Sequence, residues 1–74
     1  MAERVGRQVV LYPDREDGGW VAEVPSLPGC LSQGATKAEA IENIQDAIAS
    51  WTEGANAVGL PIPAENFDVE LLAV

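Results

Sequence analysis

Seventy-four residues leave room for one small domain spanning 1–74, and a hydrophobic content of 47% excludes a disordered chain. Twelve acidic against four basic residues give a net charge of −8, which argues against direct contact with a phosphate backbone and favours a basic protein partner; the plainer alternative is that the charge only keeps a small protein in solution. One cysteine excludes an internal disulfide and fits a reducing, cytoplasmic setting, the first residues show no apolar signal segment, and no apolar run is long enough to cross a bilayer, which predicts a soluble protein.

The first predicted strand covers residues 5–12, where Val9, Val10, Leu11 and Tyr12 are strand formers, and Pro13 is expected to end it. The acidic stretch DREDGG, residues 14–19, reads as a hairpin connection closed by Gly18 and Gly19. A second strand follows over residues 20–24, with Trp20, Ala22 and Val24 on one face and Val21 and Glu23 on the other. PSLPG, residues 25–29, is too rich in proline for a ladder and is a loop; Pro28 followed by Gly29 suits a type II turn. A short third strand spans residues 30–33, before Gly34 and Ala35 lead into a helix.

The helix start is the clearest local signal. Thr36 and Glu39 fit a capping box, in which the hydroxyl accepts from the third helical amide and the glutamate reaches back to the cap. Ile41, Ile44, Ile48, Trp51, Ala55 and Val58 recur at three- and four-residue spacing, widened by Ala40 and Ala47. The pattern predicts an amphipathic helix of about 22 residues, roughly 33 Å long. Gly54 falls inside it, Gly59 suits the residue after its end, and Pro61 and Pro63 prevent continuation. Residues 67–74, FDVELLAV, read as a last strand with Phe67, Val69, Leu71 and Ala73 on one face.

The expected architecture is therefore an α+β domain of order β-β-β-α-β: a four-stranded sheet, strand order 3-2-1-4, with one long helix packed on one face. One helix covers one face only. The other carries Val10, Tyr12, Val21, Leu31 and Leu72, which is the physical case for a homo-oligomer (dimer or tetramer) or a covering partner.

Residues 12–48, YPDREDGGWVAEVPSLPGCLSQGATKAEAIENIQDAI, resemble the N-terminal domain of HicB-like antitoxins. Tyr12, Gly18, Gly19, Trp20, Pro25, Leu27, Pro28, Gly29, Cys30, Gly34, Thr36, Glu39 and Ala40 sit where that family's pattern puts them, and GLPIPAE, residues 59–65, resembles the segment after its helix. The resemblance implies a reduced ribonuclease-H-like unit without nuclease activity. It implies as partner a small basic RNA-cleaving toxin of HicA type, whose active site the antitoxin masks. Complete antitoxins of this kind append a DNA-binding segment, and the expectation here is a chain without one.

Each candidate residue has a functional and a plain reading. Asp14, Glu16, Asp17 and Glu23 would have to converge on two ions to form a metal-dependent nuclease site; three of them share one turn, where side chains splay toward water, and no histidine supplies a base. A solvated turn with partner contacts is the favoured reading, with no metal and no cofactor. Cys30 lacks a neighbouring base or cation and reads as a buried, inert thiol. Leu27 and Pro28 either close one end of the sheet or meet another chain. Trp51 continues the helical apolar stripe, whereas Trp20, following an exposed turn and expected to pack beside Tyr12, is the better interface candidate. Partner contact is thus assigned to Tyr12, Asp14, Glu16, Asp17, Trp20, Leu27 and Pro28, and structural roles to Gly29, Cys30, Thr36, Glu39 and Trp51. The helix acids Glu39, Glu42, Asp46 and Glu53 form a solvated face or a landing strip for a basic protein. A non-enzymatic antitoxin is the leading reading, and a solitary structural or adaptor homologue remains open beside it.

Overall fold

A computed structural model describes residues 6–65 and 69–74. Among these run three strands and one helix: β1 (Val10–Pro13), β2 (Trp20–Glu23), β3 (Leu31–Gly34) and α1 (Lys37–Ala57). The strands make an antiparallel sheet in the order β1-β2-β3, the meander that short connections between successive strands produce. β1 starts later than expected and keeps Pro13, which pairs with Trp20 at the strand's end. An edge strand tolerates this because the missing donor can face away from the ladder.

The first connection is closed by Asp14. Its Oδ1 accepts from the amides of Glu16 and Asp17, both at 3.1 Å, while its backbone bonds Gly18 and Gly19. The second connection is two turns in series: the Leu27 amide donates to Val24 and the Cys30 amide to Leu27. Pro28 and Gly29 hold the central positions of the second turn, and Gly29 has φ +79°, a left-handed value that a side chain resists. This reversal drives Leu27 inward.

Thr36 caps α1, its Oγ1 accepting from the Glu39 amide at 3.1 Å. Glu39 reaches back one residue further than the capping-box geometry predicts, accepting from the Ala35 amide at 3.0 Å. At the other end the Leu60 amide donates to Ala55 and the Gly59 amide to Asn56, with Gly59 at φ +73°. That is a Schellman closure, and it satisfies carbonyls the helix leaves open.

The core lies between α1 and one face of the sheet. Ala22, Val24, Leu27, Cys30, Ala40 and Ile44 are each no more than 3% exposed, flanked by Val9, Leu11, Trp20, Ala47, Ile48 and Trp51. Full burial of a side chain such as Leu27 or Ile44 contributes about 1.5–3 kcal/mol. The helix touches the sheet through Ala40 rather than Ile41, which is 42% exposed, and Val58 at the end of the predicted stripe is 69% exposed. The reason is at Gly34: a Cβ there would lie 2.5 Å from the Ala40 nitrogen and 2.8 Å from Glu39. The first turn of α1 is pressed onto the end of β3, and only a residue without a side chain permits it.

The predicted four-stranded sheet of order 3-2-1-4 is corrected to three strands. Phe67 and Asp68 lie outside the described residues, and residues 69–74 join no ladder. Val69 does reach the β1 side of the domain, but its amide donates to the side-chain oxygen of Gln8, at 2.6 Å, rather than to a backbone carbonyl of β1. The chain's last residues, Leu71 to Val74, are apolar on both alternating faces and need cover on both, and the helix supplies one. Leu71, Leu72 and Val74 remain 86%, 79% and 121% exposed.

Candidate partner-binding surface

Strand alternation divides the predicted contact residues between two sides of the sheet. Register sets Val10 opposite Glu23 and Glu23 opposite Leu31; in the next row Tyr12 faces Val21 and Val21 faces Gln33. These six residues share the face turned away from α1. Tyr12 is 41% and Leu31 55% exposed, and a shallow hollow of about 350 Å³ opens beside Val21, Leu31, Ser32 and Gln33. The Tyr12 hydroxyl lies 3.4 Å from Glu23 Oε1 and donates toward it, a long contact that runs between the two rows.

Trp20 is on the opposite side. It packs against the core cluster, half-buried, with the Lys37 ammonium 4.7 Å from its ring centroid, a cation–π contact. The expectation that it packs beside Tyr12 is corrected by the register, which pairs Trp20 with Pro13 and Gly34. Leu27 has no exposed surface and packs inside the core, while Pro28 is exposed and its carbonyl accepts from Trp51 Nε1 at 3.1 Å. The turn and the later half of the helix are joined there. Asp14 is half-buried as the anchor of its turn, and Glu16 and Asp17 stand in solvent at one end of the open face. Cys30 is buried, and burial pushes its thiol above the ordinary value of 9.0, opposed by the charge of Arg7.

Two features escaped the sequence. The first is the setting of Glu23 between Val10 and Leu31: alternation along β2 puts it on a side with Val21, but only the register supplies its neighbours on β1 and β3. The second is a cluster joining three distant segments: Arg7 donates to Ser26 Oγ at 3.0 Å, Ser26 donates to Glu65 Oε1 at 2.5 Å, and Arg7 lies 3.7 Å from Glu65. Nothing local announces it, because its members are 19 and 39 residues apart. Among the described residues, no three histidine, cysteine or acidic side chains come together to hold a metal, and no helix is long and apolar enough to cross a membrane.

Known proteins carry the same pattern. UPF0150 protein Ta0767 of Thermoplasma acidophilum is 42% identical over 60 residues, covering 81% of this chain and 87% of its own. UPF0150 protein ssr1765 of a Synechocystis strain is 39% identical over 72 residues, covering 97% of this chain and 91% of its own. No solved structure matches the chain. The family model described as the HicB-like antitoxin of bacterial toxin–antitoxin systems matches residues 8–72, and on that extent the chain belongs to the HicB-like antitoxin family.

Proposed function

We propose that this protein is a non-enzymatic antitoxin that binds a small basic RNA-cleaving toxin of HicA type and neutralises it by covering the toxin's active site. The family match over residues 8–72 carries the reading. The net charge of −8 supports it independently, since an RNA-cleaving protein needs a basic surface and an acidic chain complements one. The site of action is the cytoplasm, where messenger RNA is found. Partner contact involves Tyr12, Asp14, Glu16, Asp17 and Pro28, whose placement on or near the open side of the β1–β2 hairpin and the proline turn suits an external surface.

The assembly we propose is a homo-oligomer. The uncovered Leu71, Leu72 and Val74 support this, because apolar side chains so exposed gain from association. Co-expression with a HicA-type toxin encoded beside this chain tests the function: growth arrest is relieved, the two proteins co-purify, and the complex weakens as salt rises. Unrelieved arrest together with no complex at micromolar concentration rejects the reading.

A further inference from the structure

The geometry points to the open face of the sheet as the docking surface for a basic partner, with a partner arginine seated on Glu23 between Val10 and Leu31 and against the Tyr12 ring. The inference rests on the antitoxin reading and names the surface it uses.

Three observations carry it. The face is mostly apolar but has a carboxylate on its middle strand, because register sets Glu23 between Val10 and Leu31 in the row where β2 ends. The cations among the described residues are engaged or placed elsewhere: Arg7 is paired with Glu65, Lys37 lies over Trp20, and Arg15 is in the turn after β1. Glu23 therefore has the Tyr12 hydroxyl as its partner and no cation from the described part of its own chain. Such a carboxylate is tolerated at a half-exposed position but is costly to bury unpaired, so whatever covers this face has to bring a positive charge.

That requirement selects the occupant. A second copy laid face to face would bring one Glu23 toward another in a drying interface, between two chains each of net charge −8. The solvated acids of the helix, Glu42, Asp46 and Glu53, attract cations too, but they do not combine charge with the apolar centre and polar rim of a stable interface. Arginine suits the open face better than lysine, since its planar head can meet the carboxylate through two donors while lying on an aromatic ring.

The test is affinity for the purified HicA-type toxin, with the fold of each variant checked by circular dichroism. Glu23→Arg is expected to weaken the complex about 30-fold or more and the isosteric Glu23→Gln about tenfold, whereas Glu42→Arg changes it less than about threefold. Backbone amides of Tyr12, Val21, Glu23 and Leu31 gain protection from hydrogen exchange in the complex. A complex that is indifferent to both Glu23 variants but lost in Glu42→Arg overturns this surface and leaves the antitoxin reading standing. A toxin-free dimer that dissociates on Leu31→Asp assigns the face to a second copy and overturns the inference as well. Failure of the unaltered chain to bind the toxin removes both.

Discussion

Ala22 and Glu23 are neighbours in the chain, yet Ala22 has no exposed surface while Glu23 looks out from the open side of the sheet. The contrast holds along the whole of β2. On the helix side, Trp20, Ala22 and then Val24 meet Ala40 and Ile44 in the core; on the other side, Val21 and Glu23 lie among Tyr12 and Leu31, which are 41% and 55% exposed. The two faces share strands, register and backbone bonds, so they differ only in what their side chains touch. Folding free energy is concentrated on the covered face, and the open face is left free to vary with a partner. Substitutions on the two sides should accordingly separate stability from binding.

The largest effect is expected at the sealed centre. Leu27→Ala leaves a cavity among fully buried neighbours and should cost about 3 kcal/mol in denaturant unfolding; a loss below 1 kcal/mol would mean that the proline turn is not part of the core. Next comes Gly34→Ala, where the new methyl meets backbone of α1 rather than a side chain that can swing away, and a loss of about 2 kcal/mol is expected. Thr36→Ala removes the cap acceptor and should cost about 1 kcal/mol, with helical content falling first at the start of α1. Smallest of all, Leu31→Ser on the open face should change stability by no more than about 0.5 kcal/mol. If Leu31→Ser instead unfolds the domain as far as Leu27→Ala does, the division between the faces collapses.

The amino-acid pattern reveals the helix and the meander because each depends on local chemistry: Thr36 with Glu39 at the cap, the stripe through Ile44 and Ile48, and the glycines after Asp14. Where the answer depended on what lies across space, local pattern was insufficient. FDVELLAV alternates like a strand, but strand formation needs a free backbone edge in reach, and Val69 meets only the side chain of Gln8. Ile41 belongs to the apolar stripe by spacing, but the absence of a side chain at Gly34 pulls Ala40 to the interface instead. On the open face, Tyr12 and Leu31 were readable as uncovered apolar residues. Alternation alone sets Glu23 beside Val21 as an acid facing solvent or a partner; its place between Val10 and Leu31 emerges only when three strands are set in register.

The two tryptophans have an optical consequence. Trp20 lies under Lys37 at the start of the helix, and Trp51 donates to the Pro28 carbonyl in its later half. Each indole is thus a native fluorophore for one end of the rod, and the chain has no third tryptophan. Replacing either with phenylalanine leaves a single indole, excited at wavelengths that Tyr12 does not absorb, so melting curves from the two variants register loss of order at opposite ends without any added dye. Superimposable curves mean that the rod and the ribbon beneath it come apart together; displaced curves show which end lets go first.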